Sequence, residues 1–183
     1  MKKILFAGPV GAGKTSAIES VSDTPIVKTD AMATDEVARL KRRTTVALDY
    51  GTLNVAPEVT IQLIGTPGQE RFSFMWDILS VGAMGVVFLI CKDRPDPLSD
   101  LETYLDSFSA ILARRGTRGV IGITHSDVAP QPGLNAFRQV AIERGFRWPI
   151  FEVDARKRAD VKVALMAMVA ELNPIPSRRA HSS

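Results

Sequence analysis

One stretch, GPVGAGKTS at residues 8–16, narrows what this chain can fold into more than any other. It follows the apolar, β-rich run KILFAG (3–8) and opens into KTSAIESV, whose composition suits a helix. Gly8, Gly13, Lys14 and Thr15 satisfy Gly-x-x-x-x-Gly-Lys-Thr in the strand–loop–helix setting that a phosphate-holding loop requires. In such a loop successive backbone N–H groups, here from Val10, Gly11, Ala12 and Gly13 on to Ser16, form a concave nest for anions. The helix N-terminus adds partial positive charge. Lys14 is expected to reach the terminal phosphates and the Thr15 hydroxyl to ligate Mg²⁺.

Beyond the loop, β-rich runs recur at 3–8, 44–55, 58–65, 85–91, 119–124 and 149–154, mostly separated by segments of helical spacing. The clearest of these, PLSDLETYLDSFSAILARR, carries Leu101, Tyr104, Leu105, Phe108, Ile111 and Leu112 at three–four spacing. Ser99 and Glu102 stand as a capping box for it. Strands alternating with helices predict an α/β P-loop NTPase fold of three layers, a mostly parallel six-stranded sheet with helices on both faces. The runs 44–55 and 58–65 lie too close together for a crossover helix, so one strand is expected to be antiparallel in a hairpin. A chain of 183 residues suits one domain, expected over 1–173, with 174–183 as a flexible tail.

Charge excludes some partners. Lys and Arg total 23 against 20 Asp and Glu, and the basic residues fall into small clusters at 41–43, 156–158 and 178–179. A nucleic-acid-binding face concentrates them on one helix or stripe, so no nucleic-acid partner is expected. The lone Cys91 cannot form an internal disulfide, which fits a reducing cytoplasm. Two lysines before an apolar run imitate a signal peptide, but that run is short and passes directly into the glycine loop. No run approaches the roughly 20 apolar residues of a spanning helix. The terminus RRAHSS has no prenylation cysteine, and no stable membrane anchor is expected.

Four later segments bear on which nucleotide is bound. In LIGTPGQERF, Gly68 stands where a backbone N–H senses a γ-phosphate, and Gln69 where an amide positions attacking water. Thr44-Thr45 precedes the hairpin, where a second contact to Mg²⁺ and γ-phosphate is expected. Asp127, in Thr124-His125-Ser126-Asp127, suits the guanine N1–H and N2–H₂ donors, a pair adenine lacks. Asp154, Ala155 and Arg156 open VDARKR, where the Ala155 N–H is placed to donate to guanine O6.

In this order the set resembles a Ras-like small GTPase over nearly the whole chain. Within that group it is most similar to the bacterial MglA-like branch, chiefly through TPGQERF together with TTVALDYG. The resemblance implies a GDP/GTP switch whose loops, around 30–45 and 65–80, change conformation on hydrolysis. It implies Mg²⁺ held by Thr15 and Thr45, with Thr45 closing the first switch. It further implies guanine selected by Asp127, water oriented by Gln69, a protein effector, and an activator of the roadblock type.

Three departures from the family pattern stand out. Gly65 occupies the place of an aspartate that holds a magnesium water, so weaker Mg²⁺ dependence is expected. Thr124 and His125 replace the usual Asn-Lys, which predicts looser guanine selectivity, with the His125 ring stacked on the base. No second ligand lies near His125 in sequence, so no metal role is expected of it. Val10 sits where a bulky residue crowds an arginine supplied by another protein, leaving slow hydrolysis or an internal arginine, Arg43 or its neighbour Arg42. Plain surface solvation is the preferred account of both arginines. Two other functions stay open: a nucleotide-binding module with negligible turnover, and a P-loop kinase, against which stands the lack of a lid insertion between 100 and 150. Phe74 and Trp76 read either as a partner-facing patch or as packing, Met166 and Met168 as core, and Asp93, Asp96 and Asp100 as turn and helix-start residues.

Overall fold

The computed structural model describes residues 2–28, 48–69, 72–115 and 117–172. Its elements run β1 (Lys2–Ala7), α1 (Lys14–Val21), β2 (Val27–Lys28), β3 (Asp49–Ala56), β4 (Val59–Gly65), α2 (Phe74–Ser80), β5 (Ala83–Cys91), α3 (Pro97–Arg115), β6 (Arg118–Thr124), α4 (Leu134–Glu143), β7 (Ile150–Glu152) and α5 (Arg158–Leu172). One sheet holds the strands in the order β2-β3-β4-β1-β5-β6-β7. All six expected strands are present. β4, β1, β5, β6 and β7 pair in parallel, while β3 runs antiparallel to both neighbours. The two-residue β2 adds a short edge strand, too brief to carry a periodic signal. The expected tail lies outside the described residues.

Strand alternation sorts the core into two layers. Leu5, Ala7, Phe88, Ile90, Ile121 and Ile123 face one way and are covered by α2, α3 and α4. Ile4, Phe6, Val87, Leu89, Cys91 and Val120 face the other way, against α1 and α5. β5 is buried without interruption from Gly85 to Cys91, as a central strand covered on both faces must be. All six stripe residues of α3 are buried, each large side chain contributing roughly 1.5–3 kcal/mol by leaving water.

Three local expectations are corrected or decided. α3 begins at Pro97 rather than after Ser99: Asp96 Oδ1 accepts the Ser99 N–H at 3.0 Å, so the aspartate caps and the proline presets the first helical φ. Met168 is fully buried, but Met166 is 70% exposed, because it falls away from the stripe Val161–Ala164–Leu165–Met168 that faces the sheet. Trp76 is buried and stacked between Tyr104 and Phe108, whereas Phe74 is exposed. Trp148 stacks on Phe88 of β5 as well as lying beside the last strand. Among the described residues no helix is long and apolar enough to cross a membrane.

Candidate functional site

The loops that leave the C-terminal ends of β1, β4, β6 and β7 converge at one edge of the sheet, where open α/β sheets carry their ligands. The first of them needs its glycines. Gly8 and Gly13 adopt φ of 148° and 88°, in the region L side chains rarely enter. A Cβ on Gly8 would run into the Leu89 carbonyl, and one on Gly13 would lie 2.9 Å from the Ala155 Cβ. Gly13 caps α1 without any side-chain hydrogen bond, and its carbonyl accepts the Ala17 N–H at 2.8 Å. The N–H groups of the first helical turn are therefore left to an incoming anion.

Lys14 is buried, and its ammonium donates to the carbonyls of Gly8 and Pro9 at 2.7 Å each. Burial pushes it down to about 8, opposed by the negative charge of Asp49. Asp49 is the residue the sequence reading did not find. Thr15 Oγ1 donates to its Oδ2 at 2.5 Å, and Asp49 pairs directly with Gly65 across β3 and β4. A Cβ built on Gly65 would meet Asp49 Cβ at 3.2 Å and Oδ2 at 3.3 Å. A carboxylate from the neighbouring strand thus lies against position 65, where the family pattern has an aspartate. The signal lay in LDYG, but the register hid it: a two-residue turn alone would set Tyr50 opposite Gly65. A bulge between Asn54 and Ala56 shifts the pairing by one and brings in Asp49. Thr15 and Asp49 together present hard oxygen donors of the kind Mg²⁺ takes.

Gly68 lies on the phosphate loop itself. A Cβ there would stand 2.7 Å from the Val10 nitrogen and 2.8 Å from Lys14 Nζ. Tyr104 donates its hydroxyl to the Gly68 carbonyl at 3.0 Å, and the Trp76 indole N–H donates to Pro67 at 3.3 Å. The aromatic stack between α2 and α3 therefore holds this segment down. Thr66 Oγ1, two residues before Gly68, is buried without a partner among the described residues. Gln69 is exposed at the end of the segment, and its carbonyl accepts the Phe72 N–H. Thr45, Thr44, Arg43 and Arg42 lie outside the described residues.

The other loops form a cleft of about 290 Å³ lined by Gly13 and Ser16, by Thr124, His125, Ser126 and Asp127, and by 152–157 with Asp160. Thr124 Oγ1 donates to the Ala12 carbonyl at 3.1 Å, tying the end of β6 to the phosphate loop. Asp154 folds the last loop into an Asx turn. Its Oδ1 accepts the Arg156 N–H at 3.0 Å and the guanidinium Nε at 2.8 Å, which holds its carboxyl far below the usual range. Asp160 accepts the Asp154 N–H at 3.0 Å. Ala155 is buried against Gly13, and Arg156 reaches across to Asp127 Oδ2 at 3.1 Å. The expected base residues are thus brought together beside the expected phosphate residues. His125 lines the cleft, with Nδ1 2.7 Å from Asp93 Oδ1.

Comparison with known proteins agrees on the general class. A selenocysteine-specific elongation factor of Desulfomicrobium baculatum is 27% identical over 183 aligned residues, covering 95% of this chain. The chain spans 27% of that curated relative's length. A family model described as "Conserved hypothetical ATP binding protein" matches residues 24–176, from just before β2 to beyond α5. Loop, cleft and match agree: the chain belongs to this family of nucleotide-binding P-loop proteins.

Proposed function

We propose that the chain is a guanine-nucleotide switch of the MglA-like kind, a slow GTPase formed by a single domain over 1–173 that signals to a protein effector from the cytoplasm. The observation that carries this reading is Asp127, an acid on the wall of the cleft that Gly13 and Ala155 also line. A carboxylate there accepts both guanine edge donors, while the Ala155 N–H is offered to O6. Arg156 must then leave Asp127, and its planar guanidinium suits the face of the base. Lys14 exchanges two loop carbonyls for phosphate oxygens, and the Gly68 N–H is offered to the last phosphate. Mg²⁺, with Thr15, Asp49 and Thr45 as its candidate holders, would neutralise developing phosphate charge. Gln69, exposed beside Gly68, is free to orient water.

Calorimetric titration with GDP, GTP and ATP, with and without magnesium, tests the assignment. Guanine nucleotides are expected to bind more tightly, and equal affinities for ATP and GTP would overturn the base reading. A second reading, binding with negligible turnover, draws support from Val10, which stands 57% exposed at the lip of the phosphate loop and obstructs an arginine from a partner. Single-turnover hydrolysis distinguishes the two: the switch reading expects rates on the order of 10⁻⁴ to 10⁻² per second, lost in Gln69→Ala. An activator of the roadblock type would raise that rate.

A further inference from the structure

Beside the cleft, at the C-terminal ends of β5 and β6, Cys91, Asp93 and His125 bring a sulfur, a carboxylate oxygen and an imidazole nitrogen within 4.8 Å of one another. Sequence spacing concealed the cluster, because His125 lies 32 and 34 residues from Asp93 and Cys91, beyond the next strand. The sheet register assembles it. Cys91 pairs with Thr124, the residue before His125, and the Lys92 N–H donates to the Thr124 carbonyl at 3.0 Å. His125 then takes a left-handed φ of 59°, uncommon for a residue with a side chain, as its ring meets Asp93. An exposed Asp–His pair alone is worth little. What sets this one apart is the buried thiol beneath it.

The donor set selects the class of ion. One sulfur, one nitrogen and one oxygen suit a borderline divalent cation such as zinc, and suit Mg²⁺ or Ca²⁺ poorly. In a tetrahedral zinc site neighbouring ligand atoms stand roughly 3.5 Å apart, so the widest separation must close by about 1 Å while the 2.7 Å His125–Asp93 pair opens by somewhat less. Asp93 and His125 have the freedom to supply it, being 42% and 38% exposed at their side chains, while Cys91 stays fixed in the core. The cations around it are already engaged, Arg94 by Asp100, Lys92 by Glu152 and the Lys14 ammonium by the Gly8 and Pro9 carbonyls.

We propose that Cys91, Asp93 and His125 form a binding site for a zinc-class divalent cation, with three protein ligands and one open position. Loading releases the thiol proton, and any proton shared between His125 and Asp93, to solvent. The bound ion ties the end of β5 to the loop that carries Asp127.

Titration of the full chain with Co²⁺ and Zn²⁺ tests the site. One Co²⁺ per chain is expected, with a thiolate-to-cobalt charge-transfer band in the near ultraviolet that Zn²⁺ abolishes and Mg²⁺ leaves unchanged. Cys91→Ser should lose the band. Asp93→Asn, a change at an exposed position, should keep the fold by circular dichroism and weaken zinc binding about 10- to 100-fold. His125 is left intact because it lines the nucleotide cleft. Absence of the band in the folded wild-type chain, or equal zinc affinity in wild type and Asp93→Asn, would overturn the proposal.

Discussion

Asp49 shows how one carboxylate can serve a site from the wrong strand. Its Oδ2 stands 3.3 Å from where a Cβ at Gly65 would begin, so a second acid at position 65 would crowd it. Asp49→Ala is therefore expected to weaken Mg²⁺ affinity in the nucleotide complex about tenfold or more, no less than the loss of an outer-shell partner costs. Gly65→Asp crowds a second carboxylate against the first and should cost about 1–3 kcal/mol of stability by urea unfolding. Asp49→Gly combined with Gly65→Asp should recover part of both losses, and its failure to do so would separate the two positions. Lys14 carries a pH prediction. Its buried ammonium titrates near 8 in the free chain, and phosphate favours the charged form. Affinity is then fully present below pH 8 and falls as pH rises through it, with proton uptake on binding above that point. Calorimetry in buffers of different ionisation enthalpy reads this directly, and no uptake at pH 8.5 would contradict it. Lys14 and Thr15 were legible because the loop's spacing is covalent; Asp49 was not, because a bulge sets its partner.

Among the elements, the β3–β4 hairpin stores local strain. Its turn is Pro57-Glu58, and Glu58 adopts φ of 63°. Proline sets the first turn residue near −65°, while glycine is the natural occupant of the second. Glu58→Gly should therefore stabilise the chain by roughly 0.5–1 kcal/mol, the strain relief outweighing the added entropy of the unfolded chain. The urea midpoint should rise with an unchanged slope, and a lower midpoint would count against it. A second element-level test concerns Lys92, buried at the end of β5 and held by Glu152 of β7 at 3.0 Å. The Lys92 hydrogen bond holds the Glu152 carboxyl below its usual range. That support is present above the unfolded-state pKa of about 4.3 and is lost as pH falls through the lower folded value. Glu152→Gln should flatten the acid limb of stability below about pH 4.3. The stripe of α3 was legible because six apolar residues repeat at helical spacing; its start was not, because Asp96-Pro97 and Ser99-Glu102 are both acceptable openings. The two residues of β2 owe their strand form to β3, a cause no local pattern records.

At the scale of the whole molecule, the alternation of apolar runs with helical stripes specified a layered parallel sheet, since those runs bury both faces only in that arrangement. The same topology gathers four distant loops at one sheet edge, and this is why single motifs that are weak alone acquire meaning together. The Gly13–Ala155 contact and the Thr124–Ala12 hydrogen bond join the phosphate and base loops directly. A ligand that spans both loops binds the native chain and not the unfolded one, so it must raise the melting temperature. At a concentration 100 times its Kd, the gain is about 2.7 kcal/mol, which for a chain of this length converts to roughly 5–11 °C. If Asp127 reads guanine, GDP produces that shift at concentrations where ADP produces little. Asp127→Ala, at an exposed position, should leave the ligand-free melting temperature near that of wild type and reduce the GDP shift to the ADP value. Loss of two charge-assisted hydrogen bonds, partly replaced by water, is worth about 3 kcal/mol, or about 100-fold in affinity. Equal shifts from GDP and ADP in the wild-type chain would instead fit the adenine ligand in the family's description and leave Asp127 as a partner of Arg156 alone.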